Sequence, residues 1–208
     1  MPDRVVQDFP LFPLGLVALP HEHVPLHIFE ARYRTMMAEC LERESEFGIV
    51  WSTDDGLAAV GCAMDITRVL EELEDGRLNL LTTGTRPFRV VEETHDLPYP
   101  AATIEFVEDD EEGPDEEAAE AAHDAYRTLV EEATDHQPEP GDVDEMSAYA
   151  MAATVDFGLE AKQALLDLRS ETARLRLVTR LFRAATRRLE FIERAQVRAR
   201  SNGKVRFS

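Results

Sequence analysis

Val60-Gly61-Cys62-Ala63-Met64-Asp65-Ile66, the pair Asp75-Gly76 and the run from Arg77 to Thr83 decide how this chain folds. Val60, Cys62, Met64 and Ile66 alternate with Gly61, Ala63 and Asp65, the period of a strand with one buried face. Asp-Gly before a second apolar run is a strong hairpin signal, because tight hairpin turns need residues that tolerate positive φ. A β-hairpin is therefore expected here. Phe47 to Trp51, Phe88 to Val91 and Ala102 to Val107 are further short runs rich in β-branched or aromatic residues and read as strands.

One helix interrupts the strands. Phe29, Tyr33, Met36, Met37, Cys40 and Leu41 recur at three and four residues, which predicts a helix from about Glu30 to Arg43. On that spacing Phe29 and Tyr33 bury together. Glu30, in the first turn, accepts backbone hydrogen bonds, and Arg32 ties the helix to a strand or loop.

After Val107 the composition changes. Glu108 to Gly113 is a charge run that reads as a solvated linker. Pro114 is expected at a first helical position, with a helix running to about Thr134. Gln137-Pro138-Glu139-Pro140-Gly141 breaks it. Asp142 and Glu145 form a cap signature for a helix through about Val155, and Glu160 to Leu168 makes a short one. Ser170 caps a long last helix whose stripe is Leu175, Val178, Phe182, Ala185, Leu189 and Ile192. That stripe is expected to pack on the two preceding longer helices and the barrel, with fraying from about Ala199.

The 208 residues carry 42 acidic and 22 basic side chains, a net charge of −20. Mean hydropathy is −0.31, which fits a soluble globular protein, with one large domain or two small ones. The charge opposes phosphate backbones, so nucleic acid is an unfavoured partner. Residues 105–145 hold a local charge of −17 and residues 162–206 one of +9. Met1-Pro2-Asp3-Arg4 lacks a basic leader, and Pro10 and Pro13 interrupt the apolar stretch behind it, so no signal peptide or membrane span is expected. The expected location is cytoplasmic.

The chemistry-bearing residues converge poorly. His21, His23 and His27 invite a metal, but Pro20 and Pro25 bracket the segment as a turn, and no well-placed carboxylate or cysteine completes a tetrahedron. Cys40 and Cys62 fall on apolar faces and read as small core residues. There is no Gly-x-Ser-x-Gly elbow and no phosphate-binding P-loop. No catalytic residue, metal or cofactor is therefore assigned. Trp51, the one tryptophan, either closes the core or stands as an exposed anchor for a protein ligand, and it is the candidate binding residue.

Phe9-Pro10-Leu11-Phe12-Pro13-Leu14, Leu19-Pro20 and Val24-Pro25-Leu26-His27-Ile28-Phe29-Glu30-Ala31-Arg32-Tyr33-Arg34-Thr35-Met36 resemble the N-terminal, substrate-binding domain of the Lon protease family. Phe47-Gly48-Ile49-Val50, Val60-Gly61-Cys62-Ala63, Asp75-Gly76-Arg77, Gly84 and Phe88-Arg89-Val90 continue the likeness. Glu160 to Leu166 and Arg174-Leu175 look like its closing motif. Three positions depart. His21 stands where glycine is usual, Ala31 where proline is common, and Pro87 where a basic residue is usual; a proline there suggests an edge or bulge.

The resemblance implies an α+β chain. A PUA-like pseudo-barrel of six strands with one packed helix (1–110) precedes a helical subdomain ending in a long helix (111–208). It also implies a stand-alone form without ATPase or peptidase parts, hence not an enzyme. Such a module recognises protein or peptide segments, in association with a protease or chaperone system. The alternative is RNA binding by the arginine-rich C-terminal helix (Arg176, Arg180, Arg183, Arg187, Arg194), which predicts strongly salt-dependent affinity.

Overall fold

The computed structural model describes residues 4–109, 113–134, 136, 138 and 140–202. These form strands β1 (Val5–Leu14), β2 (His23–Ile28), β3 (Phe47–Thr53), β4 (Gly56–Leu57), β5 (Val60–Glu72), β6 (Leu78–Thr94) and β7 (Ala101–Phe106). The helices are α1 (Ala31–Arg43), α2 (Glu116–Thr134), α3 (Pro140–Asp144), α4 (Ala148–Ala152), α5 (Leu159–Leu166) and α6 (Glu171–Asn202). They divide into two compact units, one of residues 4–109 and 152–169, the other of 113–151 and 170–202. The helical part expected over 111–208 is thus discontinuous, since α5 lies in the β unit.

The hairpin forms where Asp75-Gly76 placed it, with Gly76 at φ 79° and its N–H donated to the Leu73 carbonyl at 2.9 Å. The runs Arg77 to Thr83 and Phe88 to Val91 are one continuous strand, β6. One flank of β6 pairs with β5; the other takes β2 along Leu78–Thr83 and then β7 along Phe88–Thr94. β1 pairs antiparallel with β7 and parallel with β3, which closes the ring β1-β7-β6-β5-β3. The expected six-stranded barrel is therefore a ring of five with β2 added along β6. Pro87 sits inside β6 at a register shift opposite Cys62 and Met64, a bulge that tolerates the missing donor.

Phe9, Leu11, Val50, Ala63, Phe88, Ala102, Ile104 and Phe106 fill the ring as one buried cluster. Phe9 meets Phe88 edge to face at 5.5 Å and Phe106 at 6.0 Å. A Cβ at Gly61 would approach Phe88 Cζ to 2.7 Å and the Ile49 carbonyl oxygen to 2.5 Å, so glycine makes room for that ring. The barrel interior is consequently lined by the Gly61/Ala63 phase of β5. The apolar phase Val60, Cys62 and Met64, expected as the one buried face, is buried on the other side, because both faces of this stretch are covered.

On α1, Tyr33, Met36, Met37 and Cys40 are buried as the spacing predicts, and Tyr33 packs on Phe12 at 4.3 Å. Phe29 is not. It precedes the helix and is 60% exposed, so its expected burial is corrected. Glu30 is the N-cap, yet its carboxylate makes no cap hydrogen bond and pairs with Arg32 instead, at 2.9 Å. Arg32, expected to tie the helix to a strand or loop, instead pairs with Glu30 and lies over the Tyr33 ring at 4.5 Å.

In the helical unit α2 packs along α6, with Tyr126 and Phe182 rings 5.3 Å apart. Asp115, rather than Pro114, starts α2: its Oδ1 accepts the Ala118 N–H at 2.9 Å. The helix expected from Asp142 through Val155 is broken into α3 and α4. Ser147 Oγ accepts the Ala150 N–H at 3.2 Å, and Glu171 accepts the Ala148 N–H at 2.7 Å, which gives α4 its own start. Ser170 caps α6 as predicted, at 3.3 Å from the Ala173 N–H. Leu175, Val178 and Phe182 are buried, whereas Ile192 is 41% exposed. α6 runs through Asn202, past the expected fraying point, and 203–208 lie outside the described residues.

Candidate functional site

His23 to Ile28 alternates exposed and buried: Val24, Leu26 and Ile28 face the core, while His23, Pro25 and His27 face out. The turn expected here from Pro20 and Pro25 is instead strand β2. The period-two pattern was the available signal, and a proline on a strand with one neighbour does not break it. The tight turn is confined to His21, at φ 69°.

β2 belongs to a three-stranded wing with the first part of β6 and the last part of β5, where β5 pairs with β6 alone. On its outer face His27 Nδ1 lies 2.6 Å from Asn79 Oδ1, and Asn79 Nδ2 donates to Glu71 Oε2 at 2.8 Å. The carboxylate orients the amide so that its carbonyl oxygen faces the ring, which makes His27 Nδ1 the donor. His23 Nδ1 meets Thr83 Oγ1 at 2.8 Å, and that hydroxyl meets Thr67 Oγ1 at 2.8 Å.

Phe29 stacks on the His27 ring, centroids 5.9 Å apart and planes 23° apart. Leu70 (51% exposed) and Val69 (41%) lie across the wing. An open groove of about 500 Å³ on this wing is lined by Pro25, His27, Leu70, Glu71 and Asn79. Exposed aromatic and aliphatic side chains beside oriented polar groups suit binding rather than bond-making. Trp51 is half-buried at the end of β3, its carbonyl accepting the Ala58 N–H at 2.8 Å, and it does not line this groove.

The two cysteines are buried free thiols. Burial pushes the Cys62 thiol far above its ordinary range and raises Cys40 as well. Asp65 is raised by desolvation and by the Glu46 carboxylate, with Arg86 opposing. Among the described residues no three His, Cys, Asp or Glu side chains gather to hold a metal ion, and no helix is long and apolar enough to cross a membrane.

A small closed barrel carrying a helical extension and an exposed aromatic wing defines a mixed α/β domain of the Lon N-terminal type. The chain belongs to the family of the substrate-binding domain of ATP-dependent protease La (LON), whose description matches residues 8–184. Similar solved structures are the Lon N-terminal domain protein from Xanthomonas campestris (26% identical, TM-score 0.65, covering 82% of this chain and 95% of that one) and the N-terminal domain of Mycobacterium avium complex Lon protease. The latter is 18% identical with a TM-score of 0.62, covering 85% of this chain and 98% of that one, and shows the fold alone. Lon protease 2 of Myxococcus xanthus is 28% identical over 86% of this chain. The chain spans 24% of that protein's length, and the match falls on the substrate-binding domain rather than on the ATPase or protease domains.

Proposed function

We propose that this chain is a non-catalytic protein-recognition module that binds protein or peptide segments on the β2–β6–β5 wing. The observation that carries the reading is Phe29, 60% exposed and stacked on His27, which lines an open groove of mixed polar and apolar side chains, within a substrate-binding family. Leaving a large aromatic in water forgoes about 1.5–3 kcal/mol of burial, a cost that a binding surface recovers on contact. The same reading sets the module in the cytoplasm, serving a protease or chaperone system.

The experiment is fluorescence anisotropy with a labelled unfolded polypeptide, and with the same polypeptide folded as control. The unfolded form is expected to bind, and Phe29→Ala to weaken it by about tenfold, the scale of one interface anchor. Equal binding of both forms, or of neither, overturns the reading.

A further inference from the structure

The backbone of β2 faces two ways. Gly84 N–H donates to the Glu22 carbonyl at 2.9 Å, Thr82 Oγ1 donates to the Val24 carbonyl at 2.8 Å, and the register continues through Leu26↔Leu80 and Ile28↔Leu78. In an antiparallel strand the amide and carbonyl of one residue point to the same side, and neighbouring residues to opposite sides. Val24, Leu26 and Ile28 therefore serve β6. His23, Pro25 and His27 turn their backbone away from it, where none of the described strands pairs with them. Pro25 fits this arrangement, since its missing donor falls on the side where the fold needs none.

The free edge offers three carbonyl acceptors and two N–H donors. The other edge of the wing, on β5, is broken by register shifts between Ile66 and Arg68 and between Val69 and Glu71, which blunt an edge against pairing. β2 pairs with β6 through six consecutive residues without a shift, so its free edge is regular.

We infer that an extended, net-positive polypeptide segment, free of proline over the paired stretch, adds to β2 as a further strand, using the backbone of His23, Pro25 and His27 as its ladder. The inference rests on the recognition role proposed above and supplies its geometry. A second copy of this chain is the wrong occupant. Edge-to-edge pairing would bring a Pro25 from each copy into one ladder, losing a donor twice, and two chains of charge −20 repel. The same charge attracts a basic segment. Phe29, just beyond the end of β2, gives the segment an apolar seat, and strand addition draws affinity from main-chain bonds and selectivity from alternate side chains.

The test titrates the ¹⁵N-labelled full chain with a short synthetic peptide that alternates lysine with valine or threonine. Two versions of the peptide are N-methylated at every second amide, one in each frame. Methylation of the frame facing β2 is expected to weaken binding more than tenfold, and methylation of the other frame less than threefold. Hydrogen exchange at the His23 and His27 amides is expected to slow on binding. Pro25→Ala supplies the missing donor and is expected to tighten binding about fivefold. Binding that ignores the methylated frame, with shifts away from β2, overturns strand addition while leaving the recognition role in place. An unchanged affinity of Pro25→Ala counts against the edge in the same way. Absence of any binding overturns both. A wild-type dimer by sedimentation, with His23 and His27 protected, overturns the choice of occupant.

Discussion

Lys162 Nζ lies 2.5 Å from Glu22 Oε1, with side chains only 13% and 17% exposed, and Glu22 Oε2 accepts the Leu19 N–H at 2.9 Å. One ion pair thus pins α5 to the segment that enters β2, across 140 residues of sequence. Gln163 Nε2 adds a bond to the Val60 carbonyl at 3.0 Å. Removing one partner of a largely buried pair strands the other charge, so Glu22→Gln and Lys162→Met should each destabilise by about 2–4 kcal/mol. The double variant should lose less than the sum. Chemical denaturation of the four proteins checks this, and additive losses would mean the pair does not couple.

Phe29 and Phe88 should respond to alanine in opposite ways. Phe88 is fully buried at the centre of the barrel, and Phe88→Ala should cost about 3–5 kcal/mol. Phe29→Ala should change stability by less than about 0.5 kcal/mol, as for a surface site. Thermal and denaturant unfolding distinguish them directly.

Tyr99 should make stability fall at high pH. Burial first, and then the hydrogen bond to Glu39 at 2.8 Å and that carboxylate's charge, push its phenol up to about 12. The unfolded phenol titrates near 10. A folded pKa above the unfolded one means the contribution is fully present below about pH 10 and is lost as pH rises through about 12. Tyr99→Phe should flatten the stability profile in that window. Tyrosinate absorbance of the native protein should contain a late-titrating component that Tyr99→Phe removes.

Both thiols should be silent in the native state. Cys62 is fully buried and Cys40 nearly so, and burial holds each in its protonated, unreactive form. Alkylation with a small electrophile at pH 8 should modify neither on the timescale that modifies both in denaturant. Rapid native labelling of either would show its site to be open.

His21 and Glu44 occupy left-handed backbone, at φ 69° and 50°. A non-glycine residue there carries a cost of about 1 kcal/mol. Glu44 closes α1, with the Ser45 N–H donated to the Cys40 carbonyl at 3.0 Å, the place where glycine commonly ends a helix. His21→Gly and Glu44→Gly should leave stability unchanged or raise it by up to about 1 kcal/mol, whereas His21→Val should lower it. Calorimetric Tm values of the three variants check the sign.

Local interactions were legible in the residues themselves. The turn at Asp75-Gly76, the apolar face of α1 from Tyr33 to Cys40 and the Ser170 cap of α6 depend on neighbours within a few positions, and so does strand period. The family likeness of the motifs carried the barrel further than period alone could. Which phase of β5 faces the barrel interior was not local: Phe88 from β6 fills that space and leaves room only for Gly61 and Ala63. Phe29 continued the spacing of the helix but lies before its first turn, so the periodicity misassigned it. The wing of His23, His27, Asn79 and Glu71 exists because β2 finds β6 more than fifty residues later in the chain. The pairing of Glu22 with Lys162 and the free edge at Pro25 are equally products of chain closure. Hydrogen bonds between near neighbours are dictated by residue order, but which strand lacks a partner is decided only when every other strand has found one.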